Sequence, residues 1–182
     1  EDLRIMDCSR SCSGSSSVIL ASEKSAKKFS DNPIWISGIG QKTTSASFTK
    51  NDLDKIQSTQ VAADLAYKMA DISPKDIDVA EIHDAFSVCE LMAISELGIT
   101  TGEKSGEYVR NLFNTEDRRI NPRGGLIGAG HPLGATGISQ TIEIINQLQG
   151  KAEKRQIDNA EIGLIHNMSA AGTSSSVMVM KK

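Results

Sequence analysis

No excess of basic charge marks this sequence: 20 lysines and arginines stand against 23 aspartates and glutamates, for a net charge of -3. The broad positive field that nucleic acid or anionic lipid demands is missing, and clusters such as Lys24, Lys27 and Lys28 or Arg118, Arg119 and Arg123 read as solvated faces. Cysteine is sparse too. Cys8, Cys12 and Cys89 are odd in number with no secretory pattern before them, which argues against a disulfide framework and fits reduced thiols in a cytoplasmic setting. No apolar run approaches the length of a bilayer span, so no membrane partner is expected, and no internal repeat is visible. The chain opens on Glu1 and not on Met, which suggests processing or excision from something longer.

What is present suits one globular domain: 182 residues, 38% of them hydrophobic, are enough to bury a respectable core. After a serine-rich opening, Val18, Ile19 and Leu20 fit a short buried strand, and the charged stretch from Glu23 to Lys28 an exposed turn or short helix. "IWISGIG" reads as a strand that ends in a bend at its glycines. Val61, Leu65 and Met69, with Ala62 and Ala66 beside them, have the spacing of one helical face. A strand follows from Ile77 to Ile82, then a buried helix over 84–97 with Asp84 to cap it and Gly98 to end it. Residues 100–119 are polar and read as a surface excursion. Ile138, Ile142, Ile145 and Leu148 mark a helix closed by Gly150, and "EIGLIH" and "SSSVMVMK" are two final strands. The class predicted is α/β: a largely parallel central sheet flanked by helices, with an antiparallel closing strand pair.

All three histidines fall at strand exits or helix entries. His83 follows the strand from Ile77, His166 ends the strand from Ile162, and His131 lies in "GAGHPLGATG", the glycine loop before a helix. Strand exits line the crevice where open α/β sheets bind ligands, so the three imidazoles are expected around one hollow. A zinc site lacks any HxxxH or HxH pair, and no metal is expected. A nucleotide-phosphate loop lacks the GK[ST] ending. Acid/base work beside amide-lined pockets remains.

Three segments carry a resemblance: "EIHDAF" at 81–86, "NPRGGLIGAGHPLGATG" at 121–137 and "HNMSAAG" at 166–172 look like the active-site loops of the C-terminal half of a thiolase. The HDAF form is similar to archaeal and sterol-carrier-protein-type thiolases. Upstream, "CSGSSSVILAS" resembles the strand that closes the family's N-terminal half, which would make residues 1–30 the last strand and exit of that half and 31–182 the C-terminal domain.

The resemblance implies roles. His131 would be the base that takes the proton of a nucleophilic cysteine, with Gly130 and Gly134 letting the backbone approach an acyl thioester. His83 would donate to the thioester oxygen from a loop shared with Ala85 and Phe86. His166 would move the α-proton in the carbon-carbon step, with Gly172 retained from the family's glycine loop, although Ser169 and Ala170 replace the Gly-Gly pair. Cys89, among Val88, Leu91 and Met92, reads as a buried inert thiol, and Cys8 and Cys12 match no catalytic position.

The expected reaction is acyl-CoA plus acetyl-CoA to 3-oxoacyl-CoA plus CoA, or its reverse. Coenzyme A enters as a substrate, without metal or redox cofactor. The nucleophilic cysteine belongs to an N-terminal half that these residues do not contain, so the chain alone is expected to be inactive, and a homo-oligomer is implied for the whole. A thiolase-fold retro-aldol lyase subunit and a non-catalytic acyl-CoA-binding or assembly fragment are the alternatives.

Overall fold

β-branched and aliphatic runs along the chain alternate with helical stretches, and the strands they form set up a single sheet. The computed structural model describes residues 3–50, 52, 54–100, 104–115 and 117–182. Among these residues the strands are β1 (Trp35–Thr43), β2 (Val79–Glu81), β3 (Ile162–Met168) and β4 (Ser174–Lys181), in the order β1-β4-β3-β2. The helices are α1 (Glu23–Phe29), α2 (Gln57–Ala70), α3 (Ser87–Glu96), α4 (Ser105–Asn114), α5 (Gly125–Ala129) and α6 (Thr136–Leu148).

The α/β class and the antiparallel closing pair β3-β4 are as the sequence predicts. The sheet is not largely parallel, however: β2 pairs parallel with β3, whereas β1-β4 and β4-β3 are both antiparallel. The cause is connectivity. The turn at 169–173 forces β4 to run back along β3, and β1 then adds antiparallel on the far side of β4.

Strand alternation gives the sheet two different faces. Ala80, Ile82, Leu164, Val177 and Val179 point toward α2 and α3, where they pack with Ala62, Ala66, Tyr67 and Ile94. Val79, Ile165 and Met180 point the other way, toward Ile144 and Leu148 of α6. On that second face Gly163 is required by contact, since a Cβ there would lie 2.4 Å from the Ile144 side chain.

Helix α2 forms where predicted but turns a different face inward. Its buried residues are Ser58, Thr59, Ala62, Ala63, Ala66, Tyr67 and Ala70, while Leu65 and Met69 are exposed. The reason lies in β1, whose glycines do not end the strand in a bend as the sequence suggests. A Cβ on Gly40 would stand 1.8 Å from the Ala62 carbonyl oxygen, and one on Gly38 2.2 Å from that of Ala66, so strand and helix touch backbone to backbone and only alanine fits between them.

Other differences are local. Val18, Ile19 and Leu20 form no strand, and Ile19 and Leu20 are exposed, because no neighbouring strand among the described residues offers the 13–22 segment a hydrogen-bonding edge. The strand at Ile77–Ile82 shortens to β2. The helix expected over 84–97 starts at Ser87 and is only half-buried, with Ala93 and Ile94 its fully buried residues. Helix α6 buries Gln140, Glu143 and Gln147 alongside Ile144 and Leu148, and leaves Ile138, Ile142 and Ile145 partly accessible. The surface excursion at 100–119 contains α4; its residues 101–103 and 116 lie outside the described residues.

Candidate active site

His83 stands just past β2, where the chain leaves the sheet. Continuing the β2-β3 register of Val79 with Gly163 and Glu81 with Ile165 brings it opposite Asn167, and the two side chains meet at 3.2 Å between Nδ1 and Oδ1. His83 is buried except at one edge, with 5% of its surface exposed. Burial is the largest influence lowering its pKa; the Asn167 hydrogen bond opposes this and neighbouring His131 adds to it.

The next residue, Asp84, does not cap α3 as the sequence suggests. Its carboxylate turns to the N-terminus of α5 and accepts from the Leu126 amide at 2.5 Å and the Ile127 amide at 3.3 Å. The carboxylate occupies the space a side chain would need at Gly125, whose φ is +62° and whose Cβ would lie 2.0 Å from Oδ2. Thus the loop after β2 holds in place the helix that leads to the second histidine. Burial raises the Asp84 pKa, against the lowering effect of those two amides.

His131 follows α5 through Gly130, which has φ +88°. Its Nδ1 lies 2.7 Å from Thr136 Oγ1, and that hydroxyl donates to the Pro132 carbonyl at 3.1 Å. The one hydroxyl proton is spent on Pro132, so Oγ1 accepts from His131 Nδ1-H. Neutral His131 therefore carries its lone pair on Nε2. Partial burial lowers its pKa, with Asp84 opposing. The rings of His83 and His131 meet edge to face, with centroids 5.1 Å apart and planes at 88°.

Residues 8–14 lace across both loops, a feature no sequence signal announced. Ser9 N-H donates to the Ala85 carbonyl at 2.8 Å, His131 N-H donates to Arg10 at 3.0 Å, and Cys8 pairs with Phe86 in an isolated bridge. Cys12, exposed, packs on Gly130, where a Cβ would come within 2.8 Å of its sulfur.

His166 does not join this pair. On β3 it points with Leu164 toward α2, is 0% exposed, and its Nε2 pairs with Thr59 Oγ1 at 2.9 Å. Burial pushes its pKa down to about 3. The expectation of three imidazoles around one cavity is thus corrected to a contact pair, His83 and His131, with Asn167 behind His83, because strand alternation sends the neighbouring His166 to the opposite face. Thr59 and Ser58 continue this buried network through Ser175 to the Gly172 carbonyl.

Of the glycines singled out, Gly172 has φ +63° in the β3-β4 turn, and Gly134 faces open space where an added Cβ would meet nothing. Phe86 is 42% exposed at the start of α3, and Ala85 is partly buried. A cavity of about 520 Å³ opens beside the β3-β4 turn, between Met168, Ala170 and Gly172 on one side and Cys89, Met92 and Gln57 on the other. Cys89 is half-buried there, and burial raises its thiol pKa, consistent with an inert thiol. Among the described residues no group of three or more His, Cys, Asp or Glu is arranged to hold a metal ion, and no helix is long and apolar enough to cross a membrane.

Behind the histidines lies a buried charged cluster. Glu81, fully buried, sits 3.7 Å from the Arg123 guanidinium, which also bonds Ser139; burial raises the Glu81 pKa to about 7. Glu143 pairs with Arg155 at 3.1 Å. Glu90, held to Asn121 at 2.9 Å, is likewise raised to about 7 by burial.

Known proteins resemble the chain in sequence and in fold. Residues 40–182 match the family described as thiolase C-terminal domain-like. The whole chain is 38% identical to an acetyl-CoA acetyltransferase of Methanothermobacter thermautotrophicus, of which it spans 48%, and 94% of it is 36% identical to sterol carrier protein 2 of Oryctolagus cuniculus, of which it spans 33%. Among solved structures, an Ltp2-ChsH2(DUF35) aldolase superposes on 82% of the chain with a TM-score of 0.71 at 18% identity, covering 39% of that protein, a likeness of fold. The chain thus spans about half, or less, of the curated relatives it matches.

Proposed function

The chain belongs to the family of thiolase C-terminal domains, and from that premise we propose that it supplies the acid/base and oxyanion-binding side chains of a thioester-dependent acyltransferase. The reaction is acyl-CoA plus acetyl-CoA to 3-oxoacyl-CoA plus CoA, or its reverse, with coenzyme A as a substrate. A homo-oligomer goes with this reading.

The observation that carries it is the His83-His131 pair. Each imidazole is held from behind through Nδ1, by Asn167 and by Thr136, and the rings meet at 5.1 Å. His131, neutral near pH 7 and bare at Nε2, is fit to take the proton of a thiol. His83 lies beside it and, once its ring is the imidazolium, is placed to hold a developing oxyanion. The nucleophilic cysteine comes from residues outside these 182: Cys89 is half-buried on α3, and Cys8 and Cys12 lie on the segment that crosses the loops. The chain on its own is therefore expected to form no acyl-enzyme.

Thiolysis of acetoacetyl-CoA by the chain joined to an N-terminal thiolase half tests the reading. Loss of the general base costs about 10²–10⁴-fold, so His131→Ala should lower kcat by at least about a hundredfold. Turnover like the wild type's in that variant overturns the assignment. A retro-aldol lyase is distinguished by cleavage of a β-hydroxyacyl-CoA that survives alkylation of every cysteine, with no thiolysis of acetoacetyl-CoA.

A further inference from the structure

We propose that Asn167 and Gln140 form a positioning relay that fixes which ring nitrogen of His83 carries the proton, so that neutral His83 keeps Nε2 bare.

Asn167 lies on β3, one residue beyond the buried His166, and its side chain falls on the α6 face of the sheet. Its amide is wedged between two walls. Gly137 is one: a Cβ there would stand 3.3 Å from Asn167 Nδ2. Gln140 of α6, 0% exposed, is the other, and its Oε1 accepts from Asn167 Nδ2 at 2.5 Å.

A carboxamide has unlike ends, one that only donates and one that only accepts. With Nδ2 committed to Gln140, Oδ1 is the end that faces His83 Nδ1 at 3.2 Å. An acceptor there requires hydrogen on Nδ1. The neutral ring then has its lone pair on Nε2, and Nε2 becomes a donor only when the ring is the imidazolium. Among the described residues the Nε2 atom of Gln140 is buried without a partner, so the direction of the relay rests on the Asn167–Gln140 bond itself, which the Gln140→Glu variant below tests.

His131 reaches the same state by a separate route through Thr136 and Pro132. Two facing imidazoles thus both turn lone pairs outward, and a single proton added between them converts one from acceptor to donor. The consequence for an oxyanion rests on the acyl-transfer reading; the tautomer itself rests on the hydrogen bonds alone.

Nitrogen-15 NMR of the imidazoles in the 182-residue chain tests the relay. Neutral wild-type His83 should be protonated at Nδ1 and bare at Nε2. Asn167→Asp, which only accepts, should keep that pattern and raise the His83 midpoint. Asn167→Leu removes the acceptor, and the Nδ1-H preference should drop about tenfold, as expected for one hydrogen bond worth about 1.4 kcal/mol. The His131 signals serve as a control and should not move. Gln140→Glu presents only acceptors to Asn167 and should leave the His83 tautomer unchanged, which covers the case of an unfolded Asn167→Leu. Hydrogen on Nε2 of neutral wild-type His83 overturns the proposal, as does an unchanged tautomer in folded Asn167→Leu. Absence of acyl transfer in the joined enzyme bears on the function and leaves this result standing.

Discussion

Gly125→Ala separates the two jobs that Asp84 could be doing, and its size can be worked out from the structure. A left-handed conformation costs an L-residue about 1–2 kcal/mol, and Gly125 has φ +62°. The new methyl would also lie 2.0 Å from Asp84 Oδ2, so the carboxylate has to leave the α5 N-terminus. That forfeits its bonds from the Leu126 and Ile127 amides, a charge-assisted contribution of about 1.5–3 kcal/mol. Together these give about 4 kcal/mol of destabilisation. Gly128→Ala in the same helix is the control. It is exposed, an added Cβ meets nothing within 4 Å, and alanine should stabilise by up to about 1 kcal/mol. Urea unfolding followed by the single tryptophan, Trp35, gives both free energies. Because α5 delivers His131, folded Gly125→Ala should also shift the His131 imidazole signals, and Gly128→Ala should not. A Gly125→Ala variant within 1 kcal/mol of Gly128→Ala would mean that the Asp84 carboxylate holds nothing that the helix needs.

Gly40→Ala places a methyl 1.8 Å from a helix carbonyl and should cost about 3 kcal/mol in urea, whereas Gly106→Ala in α4, with nothing within 4 Å, should be neutral or stabilising. His166, held near pKa 3 when folded and titrating from 6.5 when unfolded, stays neutral in the fold while the unfolded chain takes up a proton. Its contribution is therefore lost as pH falls from about 6.5 to 3, about 5 kcal/mol in all, and His166→Gln should flatten that limb in acid titrations followed by circular dichroism. Glu81 acts in the opposite sense. Its folded pKa of about 7 lies above the ordinary 4.5, so the fold binds the proton more tightly and stability drops as pH rises through that window, by about 3 kcal/mol. Glu81→Gln should lower the slope between pH 5 and 8 and leave the share of Glu90, raised to the same range; an unchanged slope would place the Glu81 effect elsewhere. Thr136→Val takes away the acceptor behind His131 Nδ1; both ring forms lose that bond, the imidazolium the stronger one, so the His131 midpoint in an NMR titration should fall by less than about one unit.

Much of the site was legible because it depends on residues that are unusual at their positions. A histidine between glycine and proline before a helix, and another where a strand ends, are hard to explain as packing, and these two are the pair that meets. The α/β class followed from strand and helix periodicity in the same way. Size misled where packing depends on closeness. Val61, Leu65 and Met69 look like a core stripe, yet the core takes Ala62, Ala66 and Ala70, because the partner strand presents Gly38 and Gly40. Only a pairing of strand and helix, which periodicity cannot supply, reveals that small residues are the tight ones. The crossing by residues 8–14 was hidden for a related reason: its backbone makes those contacts.

His166 is a different kind of miss, since the information was in the sequence. Strand alternation puts Ile162, Leu164 and His166 on one face and Gly163, Ile165 and Asn167 on the other. A site shared with a histidine that continues the Val79 and Glu81 face of β2 must use the second set, because parallel neighbours in register present the same face. Parity alone therefore favours Asn167 over the more conspicuous histidine before it. The same logic explains why His166 is tolerated in the core. On the α2 face its Nε2 finds Thr59, its Nδ1 is buried without a partner among the described residues, and full burial keeps the ring uncharged. One strand step on β3 thus separates the fully buried imidazole of His166 from Asn167, which backs the His83–His131 pair, and any assignment of the proton-transfer steps has to begin from that step.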